Sequence, residues 1–346
     1  MSACVLPPLR WWVRRLAWVV ALLPIMAPPA DADPAAALRS AQGVQATDDR
    51  GHRIRLERPA ARIVTLAPHA TELLFAVGAG ATLVGTTEYS DFPPAARVIP
   101  RVGGFNSLAL ERIVLVNPDL VVAWGGGNPP ALLERLRATG VAVFESDPRT
   151  LQDIARNLRA LGVLAGHVTE AERAAAEFET SIESLRMRYA AAVPVRVFHQ
   201  VWGAPLMTVG DRHVVGAVIR LCGGVPVPRG PDRAAWVSSV EAVLAADPQL
   251  IVRASVDVTP TGEDATGSRG DRADAPPYWR RYPWVSAVAG VRLHSIDPDL
   301  IHRPGPRLLE GAQRMCHFLD AARQALAIEG SAAAVIPRAK VRNHGS

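Results

Sequence analysis

The chain is poor in the residue types on which most metal and nucleophilic enzymes are built. Its 346 residues include only 3 cysteines and 9 histidines. The histidines are scattered in sequence and none forms a close ligand pair with another; no H-E-x-x-H occurs, so a catalytic metal held by protein side chains is not indicated. G-x-S-x-G is also absent, which removes the nucleophile elbow of the α/β hydrolases. Aromatic residues are only 5% of the chain, so their placement is informative. Long apolar runs are missing beyond the N-terminus, although 49% of the residues are apolar. A large charge of one sign is missing too: the net charge is +5, too balanced to argue for nucleic acid or an anionic membrane surface.

The N-terminus is the exception. Arg10, Arg14 and Arg15 precede "LAWVVALLPIMA" at 16–27, and Ala30-Asp31-Ala32 supplies a small-residue cleavage site. This pattern reads as a secretory signal over 1–32, with the mature chain starting at Asp33. The run is about a dozen residues long and ends at Pro28-Pro29, short of the roughly 20 that a spanning helix needs. Removing its three arginines and one aspartate leaves 35 basic and 32 acidic side chains, a net charge near +3. Cys4 lies before the apolar run and is not placed for lipidation. Cys222 and Cys316 remain, either as a bridge, which an oxidising compartment favours, or as two buried thiols. A bridge would close a loop of about 95 residues and contribute about 4–5 kcal/mol.

The mature chain divides into segments. Residues 33–60 hold a small hairpin, with Asp49-Arg50-Gly51 near its turn. Over 61–168, short apolar strands ("RIVTLA", "TLVGTT", "DLVVAW", "VAVFES") alternate with helical stretches, the pattern of parallel βαβ units. Residues 169–192 lack glycine and proline, and Phe178, Ile182, Leu185 and Tyr189 form one apolar stripe, which predicts a long linking helix. The alternation resumes over 193–328, and 329–346 reads as a frayed tail. Residues 259–277 are polar and rich in glycine and proline, a mobile surface insertion. "LERIVLVNPDLVVA" echoes "VEAVLAADPQLIVRA", with Glu111 and Glu241 each seven residues before Pro118 and Pro248. The expectation is an α/β fold of two similar lobes, each with a parallel sheet flanked by helices, joined by one backbone helix. A ligand would then sit between them.

"VVAWGGGNPP" invites a phosphate-cradle reading, but no lysine and hydroxyl follow the last glycine and no G-x-G-x-x-G occurs. The glycines, Gly125 first among them, instead allow a tight turn beneath a large ligand. Trp124 and Trp202 end strands, Tyr89 follows one, and Phe105 lies in a loop, all where a lobe presents a binding edge. His69 stands at a strand-to-helix junction, facing either the cleft or a local hydrogen-bond partner. Glu111 and Glu241 suit the first turn of a helix, and one per lobe also suits docking to a two-fold symmetric basic partner.

Together "RIVTLAPHATELLFAVGAG", "YSDFPP", "LERIVLVNPDLVVAWGGGN", "RLCGG" and "PRLLEGAQRMC" resemble the periplasmic cobalamin-binding proteins of ABC importers, over roughly residues 60 to 325. The resemblance implies a periplasmic monomer that captures a corrinoid between its lobes, as cargo and not as a cofactor, and docks to a permease dimer without bond chemistry. It implies that Tyr89 and Trp124 are cleft aromatics and that Phe105 stands where better-known members have tryptophan. Asp299, Leu300, Ile301, His302 and Arg303 match a ligand-contacting loop, with Leu300 and Ile301 in place of aromatics. Trp236 lies near a family tryptophan without matching it. Glu111 and Glu241 match paired permease-docking glutamates, and Cys222 and Cys316 match the family disulfide. The alternative on the same scaffold is a haem or ferric-siderophore carrier. Haem would use Tyr89 or His302 as iron ligand, whereas a siderophore would want an arginine cluster of which Arg303 is the evident member.

Overall fold

The computed structural model describes residues 43–104, 107–210, 213–231, 233–255 and 275–335. The expected signal peptide, Phe105 and residues 259–274 of the insertion lie outside the described residues. Two strands, β1 (Val44–Thr47) and β2 (Arg53–Leu56), pair as an antiparallel hairpin whose turn places Gly51 at φ 85°. A five-stranded parallel sheet follows, in the order β5-β4-β3-β6-β7: β3 Ile63–Thr65, β4 Leu83–Thr87, β5 Arg101–Gly103, β6 Leu120–Trp124 and β7 Ala142–Ser146. Unbroken apolar stretches such as Leu120–Ala123 are buried throughout, as expected of strands covered on both faces.

The covering helices are α1 (Pro68–Ala76), α2 (Leu110–Leu115), α3 (Pro130–Ala138) and α4 (Leu151–Ala165). α1 and α3 open on proline, whose missing N–H costs nothing in the first turn. α4 opens on a reciprocal Thr150–Asp153 capping box and stops at Gly166, φ 79°. The linking helix, α5, runs Val168–Tyr189 and is about 33 Å long. Its stripe of Ala171, Ala175, Phe178, Ile182 and Tyr189 is buried in one core shared with both halves of the chain. The Tyr189 hydroxyl donates to Asp320 at 2.7 Å, tying α5 to the last helix.

The second half is less regular than the first. It holds β8 (Val195–Gly203), β9 (Leu206–Val209), α6 (Val214–Leu221), β10 (Gly224–Pro226), β11 (Ala235–Val237), α7 (Val240–Ala246) and β12 (Leu250–Ala254). Then come α8 (Ala275–Arg280), α9 (Ser286–Ala289), β13 (Leu293–Ile296), α10 (Pro298–Ile301) and α11 (Leu308–Val335). The sheet order is β11-β9-β8-β12-β13, with β10 also on β8. It is mixed, not purely parallel: β8 and β9 form a hairpin and β11 adds antiparallel to β9. The short link between β8 and β9 leaves no room for a parallel crossover. α11 continues through residues 329–335, part of the stretch read as a frayed tail; the run includes three consecutive alanines, and no proline interrupts it before Pro337.

The internal echo survives folding in detail. Asn117, two residues after α2, and Asp247, the cap of α7, both take positive φ, 43° and 41°, immediately before the proline that leads into β6 or β12. Cys222, which caps α6, is bonded to Cys316 of α11, and both are buried. Among the described residues no helix is long and apolar enough to cross a membrane.

Candidate functional site

In the first sheet the chain leaves β3 towards β4 on one side, while β6 pairs on the other. That reversal opens a crevice at the carboxyl ends of β3 and β6. His69, in the first turn after β3, and Trp124, the last residue of β6, meet there edge to face with ring centroids 6.3 Å apart. In the second sheet the corresponding gap lies between β8 and β12, and His199 of β8, His213 at the start of α6 and His302 after α10 gather beside it. A cavity of about 380 Å³ joins the two sides, within the range of small-molecule sites. Its walls include Arg50, Trp124, Gly125, Asp147 and Arg149 from the first half, and His213, Arg233 and His302 from the second.

The Trp124 wall is set by its own turn. The Trp124 carbonyl accepts from the N–H groups of Gly127 (3.1 Å) and Asn128 (2.9 Å). The buried Asn128 side chain returns the bond, accepting from Trp124 N at 2.7 Å, and donates to the Leu66 carbonyl at 3.2 Å. One amide thus clamps the ends of β3 and β6 together. A Cβ on Gly127 would overlap the Trp124 indole, so that glycine is required by the close approach of the ring. Arg50 reaches from the hairpin turn to donate to the Gly125 carbonyl and lies 3.6 Å from both Glu145 and Asp147. Arg149 also pairs with Asp147, at 2.8 Å.

The histidines around the cavity are kept neutral by burial. His69 bonds Ser146 Oγ at 3.2 Å, and burial lowers its pKa to about 4 against the opposing pull of Asp147. His213 caps α6, its Nδ1 accepting from Val215 N at 3.2 Å; burial takes it to about 4 as well. His302 is lowered to about 3, by burial first and then by His213. His199 is pushed well below the ordinary histidine range by burial and by the neighbouring rings. Its Nε2 sits 2.9 Å from His302 Nε2, so one of the two nitrogens carries the shared proton.

Below the cavity a buried ion network joins the halves. Glu72 of α1, 3% exposed, accepts from Arg307 Nε (2.9 Å), Arg307 Nη2 (2.6 Å) and Arg303 Nη1 (3.2 Å). Arg303 also meets Asp91 at 2.9 Å and Asp299 at 2.7 Å, and the Arg307 guanidinium lies 4.0 Å from the centre of the Phe92 ring. Burial works against the charge on Arg307, but the Glu72 carboxylate outweighs it and raises its pKa.

The residues singled out from sequence fall into several places. Trp124, Gly125 and His302 line the cavity. Tyr89 does not; it is 73% exposed in a turn with φ 64°. Asp299 and Arg303 belong to the ion network, while Leu300 and Ile301 are buried. Trp202 stands on the β8–β9 hairpin and donates to the Ala204 carbonyl. Trp236 lies in β11 beside the cavity's Arg233 and Ala234, its Nε1 buried without a hydrogen-bond partner among the described residues. Glu111 and Glu241 are exposed in the first turns of α2 and α7, Glu111 lying 3.6 Å from Arg135. Sequence reasoning missed Arg50, Asp147, Arg149, His213 and Arg233. The usable signal for Asp147 and Arg149 was their place directly after "VAVFES", the carboxyl end of a parallel strand.

Comparison with known proteins agrees with this architecture. A vitamin B12-binding protein of Vibrio cholerae serotype O1 is 34% identical over 267 residues, covering 77% of this chain and 91% of the relative. The crystal structure of the periplasmic vitamin B12 binding protein BtuF of Vibrio cholerae superposes with a TM-score of 0.68 at 34% identity, over 77% of this chain and 98% of that one. A periplasmic haem-binding protein, RhuT from Roseiflexus sp. RS-1, shares the fold with a TM-score of 0.63 at 24% identity, over 76% of this chain and 99% of that one. With residues 63–269 matching the family as well, the chain belongs to the periplasmic binding proteins.

Proposed function

We propose that this protein captures cobalamin, or a related corrinoid, in the cavity between its two sheets and delivers it to the permease of an ABC importer. The observation that carries the reading is the 34% identity to a vitamin B12-binding protein across 77% of the chain. The geometry supports it: Trp124 offers a flat apolar wall, and Gly125 and His302 line the same space. Tyr89, Phe105, Trp202, Trp236, Asp299 and Arg303 are assigned to the rim of the bound cargo, with Leu300 and Ile301 holding the loop that carries His302. The chain acts after export and loss of residues 1–32, as a monomer, by binding and docking without bond chemistry. The cargo is transported and is not a cofactor.

Glu111 and Glu241 are the docking residues in this reading. Each is exposed in the first turn of a helix at an equivalent place in its half. The double variant Glu111→Ala/Glu241→Ala is expected to bind cobalamin normally but to support little uptake in a reconstituted importer; full uptake would reject the docking role. For the cargo itself, calorimetry of the mature protein against cyanocobalamin, haemin and a ferric siderophore decides the matter. Cyanocobalamin binding is expected, and tight haemin binding without cobalamin binding would overturn the reading. Haem is the second reading because neutral imidazoles line the cavity, as an iron ligand requires.

A further inference from the structure

We propose that His302 Nδ1 is an axial ligand to the metal of the bound macrocycle, oriented by His199 behind it. The proposal rests on the reading of the cargo as a corrinoid and specifies how its cobalt is recognised. Three observations on this side of the cavity lead to it.

First, His302 lines the cavity and has only one nitrogen to offer. Its Nε2 is 2.9 Å from His199 Nε2, while Nδ1 has no hydrogen-bond partner among the described residues. Second, His199 is 1% exposed, and its own Nδ1 is buried and unpartnered among the described residues, so its one engaged nitrogen is the Nε2 that faces His302. When a metal takes the lone pair of His302 Nδ1, the neutral ring keeps its proton on Nε2, and His199 Nε2 is the acceptor within reach. His302 Nε2–H then donates to it, and His302 Nδ1 carries the free lone pair. A ligating histidine that donates its other N–H to a buried acceptor is the usual outer-sphere arrangement of a metal site. Third, His213 is barred from the same role. Its Nδ1 accepts the Val215 N–H, so the neutral ring bears its proton on Nε2 and offers the cavity a donor.

The site suits a metal that brings most of its own ligands. Among the described residues, three ligand atoms within 4.8 Å of one another occur at Asp48, His52 and Glu145, not in the histidine trio. A free ion would therefore find one good ligand here, whereas a cobalt already held by four corrin nitrogens needs only one. The Asp48 cluster is otherwise engaged: both Asp48 oxygens accept backbone N–H bonds, and Glu145 pairs with Arg137. The step is a ligand exchange. The Nδ1 lone pair forms the Co–N bond, one bound water leaves, and the oxidation state of cobalt does not change.

Diaquocobinamide, whose two axial waters both exchange, is the probe, and cyanocobalamin is the reference for capture of a corrinoid. Absorption spectra of wild-type protein titrated with diaquocobinamide should show the shift produced by free imidazole. His302→Ala and the shape-conserving His302→Gln should lose that shift, and free imidazole should restore it in His302→Ala. The ratio of diaquocobinamide to cyanocobalamin affinity should fall by about tenfold or more in both variants, and His199→Ala should lower it by about 10- to 100-fold by misorienting the ligand. Binding of diaquocobinamide to wild-type protein without a spectral shift, or a shift that survives in both His302 variants, overturns axial ligation while leaving corrinoid capture intact. Failure to bind either corrinoid overturns capture and ligation together.

Discussion

Replacing Glu72 should loosen the joint between the two halves of the molecule. The carboxylate is almost fully buried and accepts three N–H bonds from two arginines of the other half. Arg303 would keep Asp91 and Asp299 after a Glu72→Ala change, but Arg307 would be left with the face of Phe92. The Arg307 side chain is only 18% exposed, so most of its charge would be stranded away from water. Removing one member of a buried ion pair costs about 3–5 kcal/mol, chiefly through the charge left behind. In a protein of this size that lowers the unfolding midpoint by on the order of 10 °C. Replacing both partners by apolar side chains, as in Glu72→Leu with Arg307→Met, removes the stranded charge and should cost far less than the two single changes added together. Urea unfolding of the four proteins forms a double-mutant cycle. A Glu72→Ala loss below about 1 kcal/mol, or simple additivity in the cycle, would show that the network is not a joint.

Stability should fall with acid because His69 is buried neutral. Its folded pKa of about 4 lies below the unfolded value near 6.5, so the unfolded chain binds the proton first. The contribution is fully present above about pH 6.5 and is lost progressively as pH falls to about 4, the loss reaching about 2 kcal/mol at pH 5. A His69→Gln variant should lose that much less between pH 7 and 5; an identical loss in both proteins refutes the assignment. Breaking the Cys222–Cys316 bond, which spans 94 residues, should cost about 4–5 kcal/mol, read as a lower urea midpoint in the double alanine variant, and an unmoved midpoint counts against it. Gly127→Ala should push the Trp124 indole out of place at a cost of about 1–3 kcal/mol. Calorimetry should then read weaker cobalamin binding; undiminished affinity would remove Trp124 from the cavity wall.

Local pattern carried much of the fold. The all-apolar strands, the glycine-free stripe of α5 and the paired helix–proline–strand segments are short-range signals, and each survives in the structure at nearly the residues expected. The second sheet was harder to read because a hairpin strand and a crossover strand share the same apolar look, and only the partner distinguishes them. The site was legible where one residue announces itself: Trp124 closes a strand, and the glycines after it need no partner to be noticed. It was illegible where the function is collective. His302 was singled out from the sequence, but His199 and His213, about a hundred residues away, carry no signal of their own; packing makes them its neighbours.

What the sequence determined by itself was periodicity, punctuation and duplication, hence two α/β halves and a long connecting helix, because these rest on contacts within a few turns of chain. Only the tertiary structure decided which side chains line the cavity and which charged partners each of them meets. Arg303, matched by sequence to a ligand loop, is held among Glu72, Asp91 and Asp299, while Arg50 comes from a hairpin 75 residues away to brace Gly125. The reason is physical: a buried charge takes whatever counter-charge the fold brings to it, and that pairing is set by long-range packing.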